Sequence, residues 1–193
     1  IPNKIQLGLN LTSGRGAGSI AEVGMNAAIE NLDEIKEVLG NGTKMLFITA
    51  GMGGGTGTGA APIIAKAAKE LGILTVGIVT YPFMFEGRKR SAQANNGLEE
   101  LRESVDTCVI ICNDKLREIY GNLSLSDAFA KADDILSTAA KGIAEIITRT
   151  GYINVDFEDV RTVMTDSGVA IMGSGEASGE NRAKVAAEAA LAS

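Results

Sequence analysis

Histidine is absent from the 193-residue chain. That absence removes Ser-His-Asp and Cys-His nucleophilic machinery, a histidine general base and the common zinc sites. Any chemistry must rest on carboxylates, Lys and Arg, backbone amides or a bound cation. Basic residues are also in deficit, with 18 Lys plus Arg against 24 Asp plus Glu and a net charge of −6. Such a balance argues against a general binder of nucleic acid or of a membrane surface. No apolar run is long enough to span a bilayer and no signal peptide is evident, so a cytoplasmic protein without direct membrane insertion is expected. Cysteine is scarce: Cys108 and Cys112 stand four apart. On a strand they would share a face at roughly 13 Å, beyond disulfide reach, and they read as small core residues in a reducing compartment. What the chain does have is apolar material, 45% of its residues, enough for a core and too much for disorder.

Three short runs rich in Val and Ile, residues 45–49, 73–80 and 107–112, lack polar alternation. Runs of this kind suit parallel strands buried on both faces. Between them lie helical patterns, 60–71 closed by Gly72 and 90–105 with charge on one side. Strand, helix, strand, helix, strand is the order of an α/β domain with a parallel sheet flanked by helices. Upstream, residues 4–7 read as a short strand and 22–39 as one helix or two abutting ones. Downstream, 126–148 is the longest helical stretch, a central helix followed by a short helix, a strand at 169–172 and an Ala-rich helix from Glu180. Residues 1–150 are therefore expected to form one domain, and 151–193 the beginning of a second, α+β one. Both ends read as cut: the chain opens Ile1-Pro2, and the last helix runs into Ser193 without a stop signal.

Gly51-Met52-Gly53-Gly54-Gly55-Thr56-Gly57-Thr58-Gly59 follows a buried strand and opens a helix. Six glycines in nine residues cost backbone entropy, more than a turn requires. Without Cβ atoms their N–H groups can converge on an anion at the helix start, with the Thr56 and Thr58 hydroxyls as further donors. The alternative is a tight turn with close helix packing. No Gly-Lys pair exists for a P-loop, and the spacing does not match the dinucleotide fingerprint. Gly14-Arg15-Gly16-Ala17-Gly18 is a second glycine cluster before a helix, by itself a flexible loop. Glu86-Gly87-Arg88-Lys89-Arg90 places three cations at a helix start, against the helix dipole; an external anion would resolve the conflict, a solvated turn would tolerate it. Phe129 and Asp133 share a helix face. A ring beside a carboxylate can seat a purine, the carboxylate accepting from guanine N1–H and N2–H; a core phenylalanine beside a surface acid is the bland reading. In Asn154-Val155-Asp156-Phe157-Glu158-Asp159, Asp156 and Asp159 equally read as an N-cap and capping-box pair.

Gly53-Gly54-Gly55-Thr56-Gly57-Thr58-Gly59 resembles the tubulin-type signature, in the form found in the FtsZ family of bacterial cell-division GTPases, and the likeness extends in order along essentially all of the chain. It implies a tubulin/FtsZ-type fold that binds GTP or GDP, with Mg2+ held mainly by the nucleotide phosphates and no protein metal site. Gly16, Ala17 and Gly18 would reach the terminal phosphate, in a loop whose usual Pro-Glu-x-Gly continuation here reads Ala21-Glu22-Val23-Gly24. Gly53, Gly54, Gly55, Thr56 and Gly57 would hold phosphates, Glu86 would meet the ribose and Arg90 would lie near the nucleotide. Asn113, Phe129 and Asp133 would contact the base. Asn154, Asp156 and Asp159 match the family's synergy loop, which reaches into a neighbouring subunit's nucleotide site, where the two carboxylates would polarise water. The implied partners are further copies of the chain, head to tail, at the division site, with other division proteins and membrane tethers engaged through a tail beyond Ser193. The family's first strand and diphosphate loop would precede Ile1. Two other readings stay open: a non-catalytic fragment unable to bind GTP tightly or polymerise, and a more distant dinucleotide-dependent oxidoreductase.

Overall fold

A computed structural model describes residues 3–121, 124–149, 155–173 and 175–191. The described chain enters through a short helix, α1 (Leu9–Thr12), and two abutting helices, α2 (Ala21–Glu30) and α3 (Leu32–Leu39). The break between them falls at Asn31, whose φ of −107° and ψ of 20° leave the helical region. Next come β1 (Met45–Gly51), α4 (Thr56–Glu70), β2 (Leu74–Tyr81), α5 (Arg88–Ser104) and β3 (Thr107–Cys112), with a single 3-10 turn at Met84–Glu86. The remainder is α6 (Asn113–Tyr120), the long α7 (Leu125–Thr148), α8 (Phe157–Met164), β4 (Gly168–Val169) and α9 (Arg182–Leu191).

The four strands form one sheet in the order β1-β2-β3-β4, parallel throughout. The apolar runs predict strands buried on both faces; β2 is buried from Leu74 to Thr80 and β3 nearly throughout, whereas in β1 only Ile48 is fully buried. Period-two alternation divides its side chains between two layers. Val79 joins Ile48, Met52, Ala65, Leu98 and Leu101 under α4 and α5. Val76 and Ile78 pack with Val109, Ile111, Ala132 and Ala139 under α6 and α7. Helices on both faces of a parallel sheet are the architecture expected of the sequence.

Three expectations change. Residues 4–7 form no strand; Ile5 and Leu7 pack on the Ile35–Leu39 side of α3 instead. Alternating apolar residues suit any extended segment, and among the described residues no strand runs beside this one. The last strand pairs only at Gly168 and Val169. Ala170 N–H still donates to the Cys108 carbonyl at 3.0 Å, after which Ile171 faces solvent and Met172 turns to α7. Cys108 is buried, and burial pushes its thiol pKa up, whereas Cys112 at the strand end is exposed rather than core.

A polar cluster ties α8 and β4 back to the first strands. Buried Asp106 accepts from Thr75 N–H at 2.9 Å and pairs with Lys69 at 3.2 Å. Lys69 also reaches Asp166 at 2.8 Å. Thr107 donates to the Met164 carbonyl at 2.7 Å, and Arg161 donates to the Gly72 carbonyl at 2.5 Å. The hydrogen bond with Asp166 raises the Lys69 pKa, and the same bond with Lys69 lowers that of Asp166. Its contribution is therefore complete above the ordinary carboxylate range and is lost as pH falls through the lowered Asp166 value; at the alkaline end it fades as pH rises through the raised Lys69 value. Asp166→Asn should accordingly remove part of the acid-side loss of stability seen in wild type, read from melting temperature against pH. Asp106→Ala orphans the buried Thr75 N–H and should lower stability by about 2 kcal/mol, measured as a reduced urea midpoint at unchanged slope.

Candidate functional site

At the carboxyl end of β1 the chain must turn from strand to helix within four residues. Met52 N–H donates to the Thr80 carbonyl at 3.0 Å, carrying the β1–β2 ladder one residue past the strand, and Met52 itself is buried. Gly53 has φ 96°, and a Cβ there would stand 2.7 Å from the Arg90 carbonyl oxygen. A Cβ on Gly55 would be 2.7 Å from the Ala17 methyl, and one on Gly59 would run into the Ala21 carbonyl of α2. Close packing thus accounts for several of the glycines. Gly54 differs, since its nearest neighbour would be an Arg90 guanidinium nitrogen at 3.9 Å.

Hydrogen bonding separates the loop's donors. Gly53 N–H is taken by the Thr58 hydroxyl oxygen at 2.9 Å, and Thr58 is buried. The expectation that both threonines face a ligand is corrected: Thr58 braces the loop from inside, and Thr56 alone is exposed. The N–H groups of Gly54, Gly55, Thr56 and Gly57 donate to nothing among the described residues. Those of Gly55, Thr56 and Gly57 are among the orphan donors that every helix start carries, Gly54 lies one residue before the N-cap, and no acidic residue lies in the first turn of α4 to answer them. Their partial positive charge suits an anion.

Three further segments converge on this point. The 14–20 loop crosses Gly55, with Ala17 buried on it, while Gly16 and Gly18 (φ 59°) face open space. On α5, Arg90 packs over Gly53 and pairs with Glu86 at 3.1 Å, so part of the charge conflict at that helix start is answered by Glu86 itself. One turn later Gln93 donates to the Gly54 carbonyl at 2.7 Å and the Gly53 carbonyl at 3.3 Å. Glu86 also accepts from Phe83 N–H at 2.8 Å. Phe83 is buried and meets Phe129 of α7 edge-on, with ring centroids 5.4 Å apart. Asp114, at the start of α6, accepts from Met84 N–H at 3.1 Å. Beside it Asn113 is buried, and its side-chain oxygen has no partner among the described residues. Phe129 and Asp133 are both exposed on α7. Glycine loop, Arg90, Glu86, Phe83 and Phe129 therefore form one chain of neighbours along the carboxyl edge of the sheet, where open α/β sheets place their ligands. Gln93, Phe83 and Asp114 escaped the sequence reading. Gln93 had a signal, the i,i+3 spacing from Arg90, whereas the other two acquire meaning only through tertiary contact.

Asp156 and Asp159 are elsewhere. Asp156 caps α8, accepting from Glu158 N–H at 2.8 Å and Asp159 N–H at 3.0 Å, while Asp159 accepts from Asp156 N–H at 3.1 Å. The capping-box reading is what the structure forms, with both carboxylates exposed. Through Arg161 and Asp166 the α8–β4 segment is fastened to Gly72 and Lys69, at the far end of α4 from the glycine loop. A 15-residue helix separates the two regions by about 22 Å, so no single site of this chain contains both. Asn154 lies outside the described residues. Among those residues no group of three or more acidic or cysteine side chains is placed to hold a metal ion.

A parallel α/β sheet with open amides at a strand's carboxyl end defines a class of domain suited to anionic, phosphate-bearing ligands. The comparisons are specific: the family model described as Tubulin/FtsZ family, GTPase domain, matches residues 1–121, and the chain belongs to that family. It is 60% identical over 188 residues to the cell division protein FtsZ of Pseudomonas putida, covering 97% of this chain and 47% of that one. Among solved structures, an empty FtsZ dimer from M. jannaschii aligns with a TM-score of 0.91 at 49% identity, over 97% of this chain and 54% of the other. CetZ1 from Haloferax volcanii, a GDP-bound monomer, aligns at 0.70 and 25% identity over 86% and 49%. The chain thus spans about half the length of these relatives.

The glycines should divide by role. Gly59→Ala should destabilise the fold by about 2 kcal/mol or more, because backbone must move. Gly54→Ala, with space for its methyl, should melt within about 1 kcal/mol of wild type. Thermal unfolding of the two variants checks the division.

Proposed function

We propose that this chain is the nucleotide-binding portion of a GTPase that assembles head to tail into filaments at the bacterial division site, each catalytic site being completed between two copies. Residues 1–150 form the nucleotide-binding domain in this reading, and 151–193 the synergy loop and the opening of a second domain. The observation that carries it is the placement of the open-amide loop and the Asp156–Asp159 pair at opposite ends of α4. A site built from both needs two molecules, and a contact between unlike surfaces propagates into an open polymer. Self-association of an FtsZ dimer and GDP binding by CetZ1, as the names of those relatives state, support the reading.

On one copy, the amides of Gly54, Gly55, Thr56 and Gly57 hold the phosphates, with Gly53 shaping the turn and Gly16, Ala17 and Gly18 closing over the terminal one. Glu86 meets the ribose and Arg90 offsets phosphate charge. Phe129 stacks on guanine, Asp133 accepts from its N1–H and N2–H, and the unpartnered Asn113 oxygen supplies a further acceptor. From the next copy, Asp156 and Asp159, with Asn154, orient a water for in-line attack on the γ-phosphorus. The new P–O bond forms as the β–γ bridging bond breaks, GDP leaves, and the water's protons pass to phosphate and solvent. Mg2+ bound to the phosphate oxygens would offset their charge. Division proteins and membrane tethers would engage a tail outside this sequence. Among the described residues no helix is long and apolar enough to cross a membrane.

A second reading has its own observation. One edge of β1 has no strand partner among the described residues, and most of its side chains are only half buried, unlike those of β2. An open edge invites aggregation, and a chain in this state would bind GTP weakly and fail to polymerise.

Specific GTPase activity measured across protein concentration separates the two: it should rise from near zero above a threshold, whereas a flat zero selects the second reading. Asp159→Asn keeps an acceptor for the α8 cap yet removes the charge. It should bind GTP as wild type does and lose turnover on the order of 100-fold; full turnover would overturn the shared site.

A further inference from the structure

Resting on the phosphate-site reading, we propose that Gln93 is the positioning residue that aims the amides of the glycine loop. A carbonyl oxygen can only accept, so the Gln93 side-chain nitrogen must be the atom facing Gly53 and Gly54. It donates to the Gly54 carbonyl at 2.7 Å and the Gly53 carbonyl at 3.3 Å. A planar trans peptide points its C=O and N–H in opposite directions. Holding the carbonyls of residues 53 and 54 toward α5 therefore turns the N–H groups of Gly54 and Gly55 away from it. Those two amides begin the run without partners. Other contacts complete the arrangement. Gly53 N–H is occupied by Thr58, and the Gly55 carbonyl accepts from Gly59 N–H at 3.0 Å. Each carbonyl from Gly53 to Gly55 is thus engaged on the protein side, while the N–H groups from Gly54 to Gly57 are left for an anion.

Glycines need such a restraint, because without Cβ atoms their peptide planes flip at little steric cost. An unrestrained loop would offer carbonyl oxygens to a phosphate as readily as amides. Gln93 stands one turn after Arg90 on α5, so one helix face supplies both a cation near the loop and the donor that orients it. Gln93 touches no ligand in this scheme; it acts through backbone dipoles.

The test is calorimetric binding of GDP and of guanosine to wild type, Gln93→Leu and Gln93→Glu. Loss of the two donated bonds should weaken GDP about tenfold in Gln93→Leu, leave guanosine unchanged, and leave the nucleotide-free melting temperature near that of wild type. Gln93→Glu sets an anion against two carbonyl oxygens and should weaken GDP further at neutral pH. Its affinity should recover toward wild type as the carboxyl protonates and regains a donor. Equal losses for GDP and guanosine, or unchanged GDP affinity in Gln93→Leu, would overturn the proposal. Wild type that binds neither ligand would defeat the nucleotide reading instead. The orientation is then read directly from amide exchange of Gly54 and Gly55 and the carbonyl carbon shifts of Gly53 and Gly54. Values identical in wild type and Gln93→Leu would overturn the positioning role by themselves.

Discussion

Backbone contact between α2 and α4 is the constraint on which the rest of the site depends. A Cβ on Gly24 would collide with the Gly55 carbonyl, and one on Gly59 with the Ala21 carbonyl. At that separation the two helices meet without intervening side chains, and interior packing leaves no slack for even one methyl. The 14–20 loop, which leads into α2, is thereby laid across Gly55, and Ala17 is pinned beneath it. Glycine density here serves two ends, closeness of backbone and openness of amides. The reading of the glycine run as a packing device is realised at Gly53, Gly55 and Gly59, and the unpartnered N–H groups from Gly54 to Gly57 are the feature the anion-binding reading requires.

The second organising fact is the length of α4. It joins a loop whose amides from Gly54 to Gly57 have no partner among the described residues to a C-terminal end where Gly72 and Lys69 receive Arg161 of α8 and Asp166 before β4. The Asp106–Lys69–Asp166 cluster and the Arg161–Gly72 bond hold the acidic pair at a fixed distance from the glycine loop, so the spacing between the two surfaces is set by one rigid helix. Asp156 and Asp159 then carry a double burden, since the same carboxylates cap α8 and are proposed to act on a neighbour's substrate. Capping uses one carboxylate oxygen of each for the backbone, and the exposure of both residues leaves the rest of the group free.

The parts of the fold legible in the sequence were those governed by local pattern. The β3 run, residues 107–112, matches its strand end to end because continuous Val and Ile burial is a property of the segment alone. The start of α4 was read four residues late, since Thr56, Gly57 and Gly59 are poor helix formers that tertiary contact overrides. Residues 4–7 form no strand for want of a neighbour among the described residues, and the strand expected at 169–172 pairs only at Gly168 and Val169, because pairing is a relation between segments. Gly53 to Gly57, Glu86, Arg90, Phe129 and Asp133 stand out in the sequence by residue type and spacing, and the structure sets the glycine loop, Arg90, Glu86 and Phe129 along one edge of the sheet. The inward turn of Thr58, the Gln93 clasp, and the Phe83 ring under Phe129 were not legible in the sequence, because each rests on a partner distant in sequence.

By itself the sequence determined which catalytic groups are unavailable and the layering of the sheet. Lack of histidine, the glycine run after a buried strand and the 3.6-residue periodicities are local and additive, and they survive without knowledge of contacts. Only the tertiary structure decided which donors remain free and where the acidic pair lies. Hydrogen-bond satisfaction is a competition among all groups that folding brings within reach, and a linear order of residues does not contain its outcome.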